Sequence, residues 1–225
     1  MAVSGIVQPT GPGRAVFCNV VTGKKFKDGG KEVGENRFDA TMVFTKEEMA
    51  PVFTKFKEVA QDKWPGRDMK ELKKPWVTAE KAIEDAGKRA AKKGGDPTKI
   101  ATAKENAAKI FPAGTYVLKA SSKFEPVLSF SDGGKIIEYT AANRANARKQ
   151  FYNGTYLVPQ LNLVSYVAKK VDDPDGVSAY LNLAHFVRDG EKIGGFNAAD
   201  AFKQYAGAVS NEDPTGNDLD DEIPF

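Results

Sequence analysis

The sequence of 225 residues contains a single cysteine and a single histidine, Cys18 and His185. One cysteine cannot form a disulfide within the chain, and one cysteine with one histidine falls short of the four ligands of a structural zinc site. No stretch approaches the roughly 18 uncharged apolar residues of a membrane span, and the first residues lack the pattern of a signal peptide. We therefore expect an intracellular protein without a membrane partner, a metal or another cofactor.

Catalytic motifs are also scarce. The glycine-rich segment 133–135 lacks the spacing G-x-x-x-x-G-K-[ST] of a phosphate-binding loop. His185 has no serine, cysteine or acidic partner that the sequence identifies, so we expect a structural histidine. The aspartates of the segment 172–176, with the sequence D-D-P-D-G, are of the kind that forms turns. The sequence therefore predicts a protein that is not an enzyme.

The charge of the chain is unevenly distributed. The 33 Lys and Arg residues and 30 Asp and Glu residues give a net charge of +3, but the six charged side chains of residues 211–225 are all acidic. Residues 1–210 therefore carry a net charge of +9. Such an asymmetry between segments indicates a nucleic acid or a membrane surface as the partner.

The apolar pattern predicts an α+β fold that is mainly β with an α insertion. Thr45 and Glu48 form a capping box that begins a helix directly after the second strand. Residues 46–110 are predicted to be a helical insertion, more solvated than packed, within a domain of residues 1–210. Residues 211–225 are predicted to be a disordered acidic tail. The predicted helices cover 79–93 and 98–109, and the strands cover 14–22, 36–44, 114–122, 126–130, 136–139, 156–170 and 177–188.

The last two predicted strands form a hairpin with rings and amides on one face. Aromatic rings stack on any base, and amides hydrogen-bond to base edges. The alternative is that these rings pack beneath the helical insertion, as most aromatic residues of a sheet do. The predicted base contacts on this face are Tyr156, Asn162, Tyr166, Tyr180 and Phe186.

Basic residues accompany these rings along the chain. Lys24, Lys25 and Arg37 belong to the first predicted hairpin, Lys119 to a middle strand and Lys170 to the last hairpin. A positive groove with rings inside it is typical of proteins that bind single strands without sequence preference. The alternative is a set of separate, solvated side chains, and convergence in space decides between the two.

The chain ends in Asp220, Asp221, Glu222, Ile223, Pro224 and Phe225. This end resembles the C-terminal tip of bacterial single-stranded DNA-binding proteins, and the resemblance implies that it binds replication or recombination proteins. A terminal Phe can enter an apolar pocket while its carboxylate meets a basic side chain. The acidic tail is also expected to compete with DNA for the basic body. The alternative is an inert, solubilising tail.

The body of the chain resembles a family of single-stranded DNA-binding proteins from tailed phages. The resemblance lies in residues 38–44, 151–156 and 181–190 and extends over most of 14–205. It implies a five-stranded OB-fold barrel interrupted by a helical insertion. It also implies that the protein coats and protects single-stranded DNA during phage DNA replication, recombination and repair in the cytoplasm of the infected bacterium. A recombination mediator or strand-annealing protein is the alternative, and a monomer and a homo-oligomer are both left open.

Overall fold

The structure is a computed structural model that describes residues 2–28, 31–170 and 172–193. The predicted acidic tail, 211–225, and its tip, 220–225, lie outside the described residues. Both therefore stay predictions.

The described chain forms nine strands, three α-helices and a short 3₁₀ helix. The α-helices are α1 (Ala50–Lys63), α2 (Ala79–Lys92) and α3 (Pro97–Ile110), and the 3₁₀ helix is Arg144–Lys149. The strands are β1 (Ser4–Val7), β2 (Gly13–Asp28), β3 (Lys31–Phe44), β4 (Trp76–Thr78), β5 (Tyr116–Ser122), β6 (Val127–Asp132), β7 (Lys135–Glu138), β8 (Tyr156–Tyr166) and β9 (Gly176–Arg188).

Five of the strands close into a barrel. Strand β2 pairs with β3, β3 with β5, β5 with β9, β9 with β8, and β8 with β2. All of these pairs are antiparallel except β5 with β9. This is the connectivity of an OB-fold, so the predicted α+β class and five-stranded barrel are confirmed. Strands β1, β4, β6 and β7 extend the sheet beyond the barrel.

The interior of the barrel follows from the alternation of its strands. Along β8 every second residue is buried, from Leu157 to Ser165, while the residues between them stay partly exposed. The inward residues of β3 are Phe38, Ala40, Met42 and Phe44. Ala40, Met42 and Phe44 form one apolar cluster with inward residues of β2, β5 and β9, which fixes the opposite side of these strands as the outer face.

The three helices of the insertion pack in two different ways. Helix α1 adds Val52, Phe56, Val59 and Ala60 to the main core, so this part of the predicted insertion is packed rather than solvated. Helices α2 and α3 lie on the outer face instead, where a second, smaller cluster joins them to β2, β3 and β5. The members of that cluster are Val16, Val43, Ala79, Ala82, Ala107, Phe111 and Val117.

Arg144 joins three parts of the chain at the start of the 3₁₀ helix. Its guanidinium group donates hydrogen bonds to the carbonyl oxygens of Val20 (2.7 Å), Val21 (3.2 Å) and Pro126 (3.0 Å). The group also lies 5.8 Å from the centre of the Phe38 ring. Burial disfavours its charged form and lowers the pKa of Arg144. The side chain thereby fixes β2 at the point where the strand continues toward its hairpin with β3.

Several boundaries differ from the sequence prediction. The turn predicted between the first two strands is largely strand, because β2 continues to Asp28 and β3 begins at Lys31. The first residues, which precede the first predicted strand, contain β1, which pairs with β8. Strand β8 ends at Tyr166 rather than at residue 170. In the described residues, none of the helices is long and apolar enough to span a membrane.

Candidate nucleic-acid interface

A row of side chains crosses the outer face of the barrel. Asn162 of β8 lies opposite Tyr180 of β9, and Tyr180 lies beside Ser121 of β5. Ser121 lies opposite Asp39 of β3, and Asp39 opposite Asn19 of β2. Adjacent strands are about 4.8 Å apart, so these side chains are lateral neighbours. Two residues that the sequence predicted for DNA binding, Asn162 and Tyr180, therefore share one surface.

A second row lies beside the first. It contains Phe17 of β2, Thr41 of β3 and Lys119 of β5. Phe17 is 54% exposed and Tyr180 45% exposed, although large aromatic residues in a sheet usually pack into a core. The outer face therefore presents two accessible rings with a lysine near them. Phe17 was not predicted from the sequence, because its outward direction depends on an irregularity in the β2–β3 register at Val16.

The hairpin of β2 and β3 carries positive charge at one end of this face. Lys24 lies directly opposite Arg37, and Lys25 follows on β2. Two like charges in opposite positions repel each other and destabilise a strand pair. Among the side chains that the structure describes, no carboxylate is within ion-pair distance of Lys24 or Arg37. The structure thus brings these predicted basic residues together where an anion would relieve their repulsion.

A lysine-rich cleft borders the face next to β5. Its volume is about 690 Å³, and it lies between residues 70–77, β5 and the start of β9. None of the described residues that line it is acidic. The sequence predicted only Lys119 and Tyr166 for this region. The basic and aromatic residues in the lining are Lys70, Lys73, Lys74, Trp76, Lys81, Lys119 and Tyr166.

Backbone and side-chain bonds hold the cleft wall against β9. The Lys73 amide donates to the Asp175 carbonyl oxygen at 2.8 Å, and the Val177 amide donates to the Lys73 carbonyl oxygen at 3.0 Å. The Asp175 carboxylate accepts from the Ala168 amide at 2.7 Å and from the Arg67 guanidinium at 2.6 Å. These two donors, the amide first, lower the pKa of Asp175. Asp175 is therefore a turn former, as predicted, and it also positions the cleft wall.

Two predicted base-contact residues lie elsewhere. The structure shows a bulge in β9 at Asn182, since Gln160 pairs with Leu183 but Leu161 pairs with Leu181. The bulge reverses the alternation, so Phe186 packs toward the core and 6.3 Å from the Phe151 ring. Its predicted position on the outer face is therefore wrong.

Tyr156 is on the outer side of β8, but at the other end of the strand. It lies ten positions before Tyr166, which corresponds to about 33 Å along a strand. Its ring is covered by Arg188, whose guanidinium carbon lies 3.6 Å from the ring centre. Lys170 is exposed in the connection between β8 and β9, close in sequence to Tyr166. The structure therefore places Tyr166 in the cleft, leaves Lys170 outside its lining, and separates Tyr156 from both.

His185 and Cys18 lie in surroundings that fit a structural role. His185 lies 2.9 Å from Ser129 Oγ through Nδ1 and 3.2 Å from Ser131 Oγ through Nε2, and burial lowers its pKa. Burial raises the pKa of Cys18 to about 12, so its thiol stays protonated. In the described part of the chain, no group of three or more potential ligands is placed to hold a metal ion.

The profile of a family described as Enterobacter phage Enc34, ssDNA-binding protein, matches residues 10–214. The comparison with curated proteins finds no match.

Two solved structures have a similar fold. One is the single-stranded DNA-binding protein from bacteriophage Enc34 in complex with ssDNA, with 13% identity and a TM-score of 0.55 over 84% of this chain and 90% of that chain. The other is gp2.5, a single-stranded DNA-binding protein encoded by bacteriophage T7, with 11% identity and a TM-score of 0.50 over 95% of this chain and 99% of that chain. At these identities the likeness establishes a shared fold.

Proposed function

Because this chain belongs to the family of the phage Enc34 single-stranded DNA-binding protein, we propose that it binds single-stranded DNA without sequence preference. Membership in this family confirms the resemblance found in the body of the sequence, and the family is one of binding proteins rather than enzymes. The proposed site is the outer face of β2, β3, β5 and β9 with its adjoining cleft. In OB-folds this side of the barrel, between the first and last hairpin loops, is where oligonucleotides bind.

The observation that carries the proposal is the combination of accessible rings with unpaired lysines on one face. Phe17 and Tyr180 offer stacking surfaces that accept any base. Lys119 lies in the same row as Phe17, and Lys73 lines the adjoining cleft. Neither lysine has a carboxylate within ion-pair distance among the described side chains. Neutralising phosphates releases counterions, so such lysines supply affinity without reading sequence. Asn162, next to Tyr180, adds an amide for base edges.

The Tyr180→Ala variant tests the stacking role. We expect oligo-dT to bind about 5- to 30-fold more weakly, because one base–ring stack at a half-exposed site contributes about 1–2 kcal/mol. Fluorescence titration at fixed salt measures the affinity, and Tyr180→Phe, which keeps the ring, is the control. Equal affinities for wild type and Tyr180→Ala would contradict the stacking role. Tyr156→Ala, titrated in parallel, determines whether the interface also extends to the first residue of β8.

We further propose that the protein coats exposed strands during phage DNA replication and recombination in the cytoplasm of the infected cell, and that its tip recruits other proteins. The support for recruitment is the order of the tip, in which three acidic residues precede Ile223, Pro224 and the terminal Phe225. A ring, a free carboxylate and upstream acids suit a pocket with a basic rim. An assay of the pairing of complementary strands distinguishes coating from annealing, since a coating protein does not accelerate pairing.

Removing residues 211–225 tests the effect of the acidic tail on DNA binding. The truncation raises the net charge from +3 to +9, so we expect tighter binding of oligo-dT at low salt and a difference that shrinks as salt rises. Titrations across a salt series measure both effects. A full-length variant with amides in place of the six acids should behave like the truncation. Unchanged affinity at every salt concentration would contradict this role.

A further inference from the structure

A second cavity continues from the lysine-rich cleft. Its volume is about 580 Å³, within the range of small-molecule sites. It lies between α1, β4 and the start of β5. Four residues line both spaces, so the two cavities adjoin each other, and we call them together the groove. The shared residues are Lys74, Trp76, Val77 and Lys81.

The walls of this cavity are aromatic. The centre of the Phe53 ring lies 5.0 Å from the centres of the Trp76 and Tyr116 rings, and Phe56 lies 4.9 Å from Trp76. Their edge-on and tilted contacts hold the rings of the cluster in fixed orientations. Met69 completes the apolar lining. A flat apolar group such as a nucleobase is therefore a fitting occupant.

The rim of the cavity is positively charged. Lys46, Lys57, Lys74 and Lys81 line it, and none of its described lining residues is acidic. Lys81 forms ion pairs with Glu84 (3.3 Å) and Asp85 (3.4 Å). Among the side chains that the structure describes, the other three lysines have no carboxylate within ion-pair distance. An occupant that carries negative charge next to its flat group would match this rim.

We propose that this cavity, which we call the aromatic pocket, binds one or two nucleotides of a strand that already lies on the barrel face. The inference rests on the proposed function. The DNA strand leaves the outer face at Lys119 and passes Lys73 and Lys74. It then places a base against Trp76, while Lys46 and Lys57 contact its phosphates. The helical insertion thereby lengthens the binding site instead of only covering the barrel.

The two tryptophans of the chain, Trp64 and Trp76, provide the test. Stacking of a base on an indole ring quenches its fluorescence. In full-length Trp64→Phe, where Trp76 is the single reporter, we expect quenching by oligo-dT of about 20 nucleotides but not by about 6, a length that fits on one OB-fold face. In full-length Trp76→Phe we expect no quenching at either length. Quenching that persists in Trp76→Phe, or its absence in Trp64→Phe, would overturn the inference.

The affinity of the lysine variants provides an independent readout. We expect Lys46→Ala/Lys57→Ala to bind the longer oligonucleotide about tenfold more weakly and the shorter one as the wild type does. Lys92→Ala/Lys93→Ala, at the end of α2, removes the same charge and should change neither affinity. If the shorter strand binds but the Lys46/Lys57 variant matches the wild type at both lengths, this inference fails and the proposed function stands. If neither strand binds, both fail.

The same titrations include an acidic peptide with the sequence of residues 217–225. Such a peptide also combines negative charge with an aromatic ring. If the peptide quenches Trp76 and the longer oligonucleotide does not, the aromatic pocket is a peptide site and the proposal is wrong.

Discussion

Replacing Lys73 and Lys119 with alanine is expected to weaken the binding of oligo-dT about 100-fold. Both lysines line the cleft, Lys73 on residues 70–77 and Lys119 on β5. A hydrogen bond between charged groups contributes about 1.5–3 kcal/mol, and each 1.4 kcal/mol changes affinity tenfold. Two lost phosphate contacts should also reduce the slope of log affinity against log salt by about 1.4 for a single strand. Titrations at several salt concentrations measure both quantities.

The control for this variant is Lys92→Ala/Lys93→Ala, which loses the same two charges outside the cleft. If only the total positive charge matters, both variants will bind DNA equally weakly. If Lys73 and Lys119 contact phosphates in the cleft, only the first variant will bind more weakly. Circular dichroism confirms that both variants are folded. Equal affinities and equal salt slopes in the two variants would contradict the proposal that the DNA strand runs through the cleft.

The Arg144→Ala variant is expected to lower the free energy of unfolding by about 2–4 kcal/mol. Its side chain is only 13% exposed, and it donates to three carbonyl oxygens that belong to buried residues. Without the guanidinium these acceptors lose a charged donor, which is among the larger costs that a single substitution causes. In a domain of this size the midpoint of thermal unfolding should fall by roughly 5–15 °C. Thermal and denaturant unfolding measure the change.

Arg148 provides a matched control on the same 3₁₀ helix. It is exposed, and among the described side chains it has no carboxylate within ion-pair distance. Arg148→Ala should therefore change the free energy of unfolding by less than about 0.5 kcal/mol. Arg144→Lys should give an intermediate loss, because an ammonium group cannot reach three carbonyls in the geometry of the guanidinium fork. A similar loss in the two alanine variants would show that Arg144 has no special role.

The sequence predicted most of the fold because its strands and helices have clear local patterns. The alternation of β8 placed Tyr166 and Asn162 on the outer side correctly. The bulge at Asn182 has no such local signal, and it turned Phe186 to the core although the sequence suggested the opposite. A one-residue irregularity moves every later side chain of a strand to the other face.

The cleft and the aromatic pocket could not be predicted from the sequence. Four of their lysines fall within residues 70–81, but Lys46, Lys57 and Lys119 come from other parts of the chain, and on its own each one looks like an ordinary solvated side chain. Lys73 reaches the groove only because its backbone pairs with the start of β9, near Asp175. Tertiary contacts of this kind bring charges together without leaving a periodic pattern.

Strand β9 has a consequence for how the protein is made. It pairs with β5, β6 and β8, and it is the last of the described strands in chain order. Synthesis proceeds from the N-terminus, so the barrel cannot close until residues 176–188 have left the ribosome. Until then β5 and β8 expose apolar side chains and unpaired edges, the surfaces that chaperones bind and through which nascent chains aggregate. Barrel closure and completion of the groove are therefore one late event, and a chain interrupted before β9 has neither.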